Sequence, residues 1–313
     1  MRRNLITAAL AVIPVFAQPN VAPPNDPHDP ITASGQTPAS VETVQQRAAA
    51  TMLLMQASDH HAMHAKGTPA HVLQMSFNTT ASTLYPAATG QLTETWISGQ
   101  NWRWDGSLGN NYALLRINSN GVAYDQTANQ PMPLHMKMLT NAVFAPMYGI
   151  APRTQPMRTA SVSWNGTQVT CILLGGPVWG GTAQGSRGWG EAEYCVEPST
   201  GLLRVYSEVP GIFAIYDYTN ALKFHDRILP GAVTIEENGA AVVQAQLTSI
   251  ADTDPNNTAP FTPTAQMMQQ GPAAVLFLPM RMNRFMPSPS VTADAAVQPV
   301  IVHITLDQQG KVG

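Results

Sequence analysis

GQLTETWISGQNWRWDG, residues 90–106, contains the clearest structural pattern in the chain. Large apolar side chains share one alternating set of positions on each side of Ser98-Gly99, Leu92 and Trp96 before the break and Trp102 and Trp104 after it. A period of two is typical of β-strands, in which successive side chains point to opposite faces. The stretch is therefore predicted to form two arms of an antiparallel hairpin that turns near Gly99.

The same period of two continues through most of the chain between residues 71 and 252. Asn-Gly pairs, the strongest short hairpin signal, occur at 120–121, 165–166 and 238–239. The sequence thus predicts a large antiparallel sheet. Its further strands or hairpin arms are HVLQMSFNTT (71–80), NYALLRINSNGVAYDQ (111–126), SVSWNGTQVTCILLGG (161–176), GEAEYCVEPSTGLLRVYSE (190–208), GIFAIYDYTNALKF (211–224), GAVTIEENG (231–239) and AAVVQAQLTSIAD (240–252).

Two segments have helical rather than strand spacing. In the first, apolar residues recur at intervals of three and four, Ser40 is the predicted N-cap, and Gly67 and Pro69 end the helix. The second, PLHMKMLTNAVFAPMYG (133–149), interrupts the series of strands. Both helices are predicted to cover one face of the sheet. The recurring apolar residues of the first helix are Val41, Val44, Ala48, Met52 and Met55.

The N-terminus has the order of a secretory signal peptide. MRRNLITAALAVIPVFAQ combines two arginines, an apolar run from Leu5 to Phe16 and a small residue at Ala17, after which cleavage is predicted. The run is too short for a membrane span, which needs about 20 residues. The mature chain is therefore predicted to be periplasmic or secreted and not an integral membrane protein. Residues 18–40 contain six prolines and are predicted to be a linker.

Composition excludes some functions. Only 11% of the residues are charged, four of them lysines, and the net charge is −3. A nucleic-acid surface needs clustered lysine and arginine, so none is predicted. No G-x-S-x-G motif and no cysteine–histidine arrangement occurs, so we expect neither catalysis nor a cofactor. Two cysteines in an exported chain predict one disulfide, Cys171 to Cys195, at the ends of a glycine-rich hairpin loop.

Two histidine-containing segments offer metal ligands. His60 and His64 stand four residues apart, but no third ligand accompanies them, and histidines suit the C-terminal end of a helix. The second segment is PMPLHMKM (131–138), whose thioethers and imidazole are ligands for Cu(I). A copper site there is a weaker alternative to the interpretation that its methionines are flexible core fillers of a helix. Its ligands would be Met132, His135, Met136 and Met138.

Residues of about 40–265 resemble the outer-membrane lipoprotein carrier superfamily (LolA, LolB and RseB-like proteins). The resemblance begins at Gly90, the Trp102–Trp104 pair and Asn120-Gly121 before Tyr124-Asp125. It continues through EYCVEPSTGLLRVYSE, then FHDRILPGAVTIEENG, and ends on Phe-Thr-Pro at 261–263. Near Ser98-Gly99 this chain lacks the basic residue and proline that carriers often have there.

The resemblance implies a mainly β fold. It consists of a curved antiparallel half-barrel whose concave face is plugged by an N-terminal helix and an inserted helix, with an apolar cavity between. It also implies non-catalytic binding of a lipid, an acyl chain or a lipoprotein-like partner. On this basis the cavity is expected to be lined by Met52, Met55, Trp102, Trp104, Leu134, Met138 and Leu139.

The C-terminal stretch, QPVIVHITLDQQGKVG (298–313), reads as a strand followed by a turn. Pro299 to Val312 resembles the first strand and turn of a TonB C-terminal domain, and residues 266–299 are predicted to be a Pro- and Met-rich linker before it. An alternative function is therefore an accessory or sensor part of a TonB-type energy transducer, with an envelope protein as partner. A rival interpretation is that the last strand pairs with the edge of the half-barrel or with a partner.

Overall fold

The computed structural model describes residues 26–65, 67–82, 84–126, 132–147, 149–175 and 187–272. The predicted signal peptide, most of the glycine-rich loop and the TonB-like strand lie outside these residues. The helices are α1 (Pro30–Ser34), α2 (Val44–His61), α3 (Leu134–Phe144) and α4 (Ala265–Gln270), with a 3-10 turn at Ala259–Phe261 before α4.

The strands follow the predicted hairpin arms closely. They are β1 (Ala39–Ser40), β2 (His71–Thr79), β3 (Ala88–Ser98), β4 (Asn101–Leu108), β5 (Tyr112–Ser119), β6 (Val122–Asp125), β7 (Met157–Trp164), β8 (Thr167–Leu174), β9 (Ala192–Val196), β10 (Leu203–Ser207), β11 (Ile212–Asp217), β12 (Leu222–Phe224), β13 (Arg227–Leu229), β14 (Ala232–Glu237) and β15 (Ala240–Asp252).

Thirteen strands form one antiparallel sheet in the order β1-β7-β8-β9-β10-β11-β14-β15-β2-β3-β4-β5-β6, and β12 pairs with β13 alone. The long strand β15 joins the two halves because it pairs with both β14 and β2. Strands make up 43% of the structure, and the large curved sheet is not closed into a barrel within the described residues. The predicted fold class, a mainly β half-barrel with a few helices, is therefore confirmed.

The predicted Asn-Gly turns are present. Asn120 and Gly121 have φ angles of 51° and 82°, and the pairs at 165–166 and 238–239 repeat this geometry. Positive φ at both central residues is what a type I′ hairpin turn requires, and asparagine and glycine tolerate it best. These turns fix the register of three hairpins.

The two faces of the sheet are covered differently. The main core lies under α2 and α3 and contains the inward-facing residues of β2 to β5, including Leu92, Trp96, Trp102 and Trp104. On the opposite face, Ile31 of α1 packs with the Cys171–Cys195 region, and Met267 of α4 packs with Ile117 and Phe261. Both of these short helices lie where the sequence predicted a linker or its boundary.

Helix α2 begins three residues later than the sequence predicted. Its N-cap is Thr43 rather than Ser40, and Thr43 and Gln46 form a reciprocal capping box. Ser40 instead belongs to β1 and pairs with Arg158 of β7. The capping box outweighs the simpler N-cap signal because it satisfies two backbone groups at once.

Helix α3 packs closely on the sheet. Met136 is fully buried, and its methyl group would lie 3.0 Å from a Cβ atom at Gly106, so the missing side chain at Gly106 makes room for α3. The hydroxyl of Tyr216 donates a hydrogen bond to the carbonyl of Ala142 at 2.9 Å. These contacts hold α3 on the face that α2 also covers.

Candidate ligand-binding site

Helix α2 has apolar residues on two opposite faces. The inner face, Ala50, Leu54, Ala57 and His61, is buried against the sheet at the spacing expected of one helix face. The outer face carries four of the five apolar residues of the sequence pattern, since Val41 lies before α2 and is buried in the main core. Of these, Val44, Met52 and Met55 are 88%, 58% and 59% exposed. We call this exposed row, with Ala48, the α2 stripe.

The α2 stripe forms one wall of an open surface pocket of about 550 Å³. This volume lies within the range of small-molecule sites, about 300–1,000 Å³. Four of the nine lining residues are the apolar side chains of the α2 stripe, and the other five are polar or charged. The lining residues are Val44, Arg47, Ala48, Thr51, Met52, Met55, Gln56, Asp59 and Arg153.

The opposite wall is held in place by Arg47. Its Nη1 donates hydrogen bonds to the carbonyl of Pro152 at 2.8 Å and to that of Gln155 at 2.9 Å. These bonds tie the segment after α3 to the N-terminal half of α2 and bring Arg153 to the pocket. The pocket is therefore formed by the fold itself, before any ligand binds.

Charge is distributed unevenly along the pocket. Arg47 and Arg153 lie near the start of α2, whereas Asp59 is twelve residues further along, about 18 Å at the rise of an α-helix. The exposed guanidinium of Arg153 forms no ion pair with the residues that the structure describes. An elongated apolar molecule with one anionic end would match this arrangement.

The C-terminal end of α2 is fixed by buried polar contacts. Arg227 donates from Nη1 to the carbonyl of Asp59 at 2.6 Å and from Nη2 to Oγ1 of Thr68 at 2.9 Å. His61 Nε2 lies 2.6 Å from the hydroxyl of Tyr218, which itself donates to the carbonyl of Leu203. His61 is therefore the donor, and burial lowers its pKa to about 3, which keeps the ring neutral.

A buried carboxylate anchors the segment after α2. Glu94 is 0% exposed and lies at the centre of the concave face. Its Oε1 accepts from Trp104 Nε1 at 2.6 Å and contacts His64 Nε2 at 2.7 Å, and its Oε2 lies 3.3 Å from His71 Nε2. The ring of His64 also stacks between Trp96 and Phe144. This Glu94 cluster joins the segment after α2, strands β2 to β4, and the end of α3.

The Glu94 cluster shifts the pKa values of its members. Burial would lower the pKa of His64, but the charge of Glu94 and the hydrogen bond to it outweigh burial, so the pKa of His64 is raised. Burial would raise the pKa of Glu94, but His64 and His71 lower it to about 2. The carboxylate thus stays ionised, with His64 as its main counter-charge.

The seven residues predicted to line one cavity occupy different environments. Met52 and Met55 belong to the exposed pocket, and Leu134 is 37% exposed at the start of α3. Trp102, Trp104 and Leu139 are buried in the core, and partly buried Met138 packs against it. Only Met52 and Met55 line the pocket described above.

The four residues of the alternative copper site lie in or beside α3 and differ in exposure. His135 and Met136 are buried, and Nδ1 of His135 lies 3.1 Å from the carbonyl of Thr80, whereas Met132 and Met138 are partly buried against the core. Among the described histidine, cysteine and acidic residues, one group has metal-like spacing: Cys171, Glu193 and Cys195. Its two cysteines form the predicted disulfide, so they offer no thiolate.

The sequence patterns did not indicate Arg47, Arg153 or Glu94 as candidate site residues. Glu94 was detectable, because it has the same strand parity as Leu92 and Trp96 and must therefore point to the core. Arg47 and Arg153 were not, since their proximity depends on a loop that returns to α2 from more than a hundred residues away.

None of the described helices combines the length and apolar character needed to cross a membrane. No protein-family model matches the chain, and no curated protein does.

Several solved structures share part of the geometry. A LolA superfamily protein from Nitrosomonas europaea is 12% identical, with 66% of this chain and 94% of that one covered and a TM-score of 0.42. An outer membrane lipoprotein-sorting protein domain from Vibrio parahaemolyticus is 8% identical, with coverage of 67% and 98% and a TM-score of 0.39. MucB in the MucA/MucB complex of Pseudomonas aeruginosa is 10% identical, with coverage of 69% and 62% and a TM-score of 0.30. At these values the comparisons assign neither a family nor a function.

Proposed function

We propose that this chain is an exported envelope protein that binds an apolar chain with an anionic end, non-covalently, along the α2 stripe. The observation that carries the proposal is the exposure of Val44, Met52 and Met55 beside a preformed pocket of about 550 Å³. Contiguous exposed apolar surface rimmed by polar groups is typical of interaction sites. Export rests on the signal-peptide pattern of residues 1–17.

An acyl chain is the ligand class that best fits the pocket. Methionine side chains are flexible and polarisable, so they adapt to chains of variable shape. Arg153, and the N–H groups of Arg47 that do not bind Pro152 and Gln155, are placed to receive a carboxylate or another anionic head group. The acyl chain of a lipid and a free fatty acid share this chemistry.

The test is a series of fatty acids from octanoate to palmitate, with binding measured by calorimetry. Each methylene buried in the pocket contributes about 0.8 kcal/mol before ordering costs, or roughly fourfold in affinity. We expect affinity to rise with chain length and palmitate to bind more tightly than the uncharged alcohol of the same length. No gain in affinity along the series would rule the proposal out.

Two double variants that add the same charge to α2 test whether the ligand binds at the α2 stripe. Met52→Glu with Met55→Glu places two carboxylates in the stripe and should abolish binding. Gln45→Glu with Ala49→Glu adds the same charges to exposed positions of α2 outside the pocket and should leave binding unchanged. Equal loss in both double variants would show that charge on α2, rather than the stripe, determines binding.

A further inference from the structure

The disulfide lies on the face of the sheet opposite the Glu94 cluster. Cys171 of β8 and Cys195 of β9 are direct cross-strand partners, and both are 0% exposed. Ile31 of α1, also 0% exposed, packs in the same apolar cluster. The five-residue helix α1 thus packs on the same face of the sheet as the disulfide and in the same apolar cluster.

A buried carboxyl group touches this disulfide. Glu193 is 0% exposed, and its Oε1 lies 3.2 Å from Sγ of Cys195. Cys195 has no S–H in the disulfide, so it has no proton to donate to the carboxyl group. A protonated Glu193 can donate a hydrogen bond to the sulfur, whereas an ionised Glu193 cannot.

The surrounding charges also favour a proton on Glu193. The groups that face it are Asp29 from α1, together with Arg187 and Glu191, and Glu191 is in turn paired with Arg158 at 2.6 Å. Arg187 Nη1 lies 3.6 Å from Glu193 and 3.8 Å from Asp29, while its short hydrogen bonds go to Ser207 and the carbonyl of Glu191. Burial raises the pKa of Glu193 well above its ordinary value, and the charge of Asp29 and a side-chain hydrogen bond with Asp29 add to the shift, although Arg187 opposes it.

Reduction of the disulfide opposes this preference. The thiol of Cys195 would become a donor 3.2 Å from Glu193, and a thiol donates to a carboxylate. Burial and Asp29 act in both redox states, so the thiol hydrogen bond is what favours the carboxylate in the reduced pair.

The geometry points to a proton-coupled thiol–disulfide exchange site at Cys171 and Cys195, with Glu193 as proton donor and α1 as the cover. Its reductant would be an external dithiol. One thiolate of that dithiol attacks Sγ of Cys171, and the Cys171–Cys195 bond breaks. Sγ of Cys195 keeps the electron pair and takes the proton of Glu193.

The second dithiol sulfur then displaces Cys171 and forms the oxidised reductant. Cys171 takes up one of the two protons that the dithiol loses, and the other goes to solvent. The balanced result is a reduced protein with an ionised Glu193, a disulfide in the reductant and one released proton. This site is independent of the ligand site on α2.

Access requires α1 to move. Both sulfurs are buried, so an attacking thiol reaches them only when part of the surrounding structure opens, and Ile31 of α1 belongs to the cluster that encloses them. The cover is a single helical turn whose buried N-cap, Asp29, forms a long ion pair of 3.8 Å with Arg187 and a side-chain hydrogen bond with Glu193. Local opening of such a short element costs less than global unfolding.

The test is redox equilibration of the purified chain with reduced and oxidised dithiothreitol at several pH values, followed by alkylation and mass spectrometry. Between about pH 5 and about pH 8, below the ordinary pKa of a thiol, exchange between two dithiols releases no proton on its own. Release of the Glu193 proton makes the equilibrium constant for reduction of the disulfide rise by up to about tenfold per pH unit. This is equivalent to a change of about 30 mV in reduction potential per pH unit.

Two variants isolate the carboxyl group. Glu193→Gln should remove the pH dependence, whereas Glu197→Gln, two residues beyond Cys195 and paired with Arg204, should keep it. A wild-type equilibrium constant that does not change with pH would overturn the proposal, and this measurement needs no variant. An unchanged slope in Glu193→Gln would also overturn it.

A third variant tests the cover. Ile31→Ala should increase the rate of disulfide reduction several-fold in the folded protein and leave the pH slope of the equilibrium unchanged. A reduction rate equal to the global unfolding rate in both proteins would show that α1 is not the cover.

Discussion

At the scale of single residues, Glu94 links stability to the charge of its neighbours. A buried carboxylate is tolerated only when it is paired and hydrogen-bonded, and Glu94 meets this condition through His64, His71 and Trp104. Because His64 lies in the segment after α2, the pair connects α2 to the sheet. The stability of this connection depends on the charge of His64.

The contribution of His64 should depend on pH. Its folded-state pKa is raised, so its stabilisation is complete below the ordinary value of about 6.5 and is lost as pH rises through the folded-state pKa. The pKa of Glu94 is lowered to about 2, so its stabilisation is present above about 4.5 and is lost as pH falls toward 2. We expect the wild type to exceed His64→Gln in unfolding free energy most strongly between about pH 4.5 and about pH 6.5.

Urea unfolding from about pH 4.5 to about pH 9 measures this difference. His225→Gln is the control, since His225 pairs with Asp252 on the surface, where such pairs contribute about 0–1 kcal/mol. A constant gap between wild type and His64→Gln over the whole range would contradict the proposed role of the ion pair.

Some contacts of single residues could be predicted from the sequence, and others could not. The disulfide was predictable, because only two cysteines exist and the hairpin loop between them brings its ends together. The partners of Glu193 and Glu94 were not, because they come from strands and loops whose spatial order is not visible in the sequence. Arg187, which approaches Asp29 from more than 150 residues away, is an example.

At the scale of elements, α2 shows why a periodic pattern alone does not identify a buried face. The pattern of Val44, Met52 and Met55 predicted a helix correctly, but these residues face solvent. The buried face uses alanines, Leu54 and His61, and is less apolar than the exposed one. A helix with apolar residues on both faces can bind the sheet with one and a ligand with the other.

Truncating a side chain should change the unfolding free energy differently on the two faces of α2. Leu54→Ala removes a fully buried side chain and should lower the unfolding free energy by about 2–5 kcal/mol. Met52→Ala removes an exposed side chain two residues earlier and should change it by no more than about 0.5 kcal/mol. Chemical denaturation of both variants checks this, and a loss above about 2 kcal/mol for Met52→Ala would mean that the stripe belongs to the core.

At the scale of the whole molecule, the antiparallel sheet was the most predictable feature. Period-two patterning and three Asn-Gly turns define most strands, and local hairpins account for most of the strand neighbours. The pairing of β15 with β2 and the covering of the second face by α1 and α4 were not predictable, since both join distant segments.

Two regions of the structure are candidates for binding an apolar ligand. One is the exposed pocket along α2, and the other is the interior between α3 and the sheet, where Trp102, Trp104 and Leu139 are buried. The packing of the interior is already dense at Met136 and Gly106. A preformed opening exists at the α2 stripe.

Methionine-methyl NMR during titration with palmitate distinguishes these sites most directly. We expect the methyl resonances of Met52 and Met55 to shift on binding, while those of the fully buried Met63 and Met136 stay unchanged. Shifts at Met136 and Met138, with Met52 and Met55 unaffected, would place the ligand beneath α3 and contradict binding along the α2 stripe.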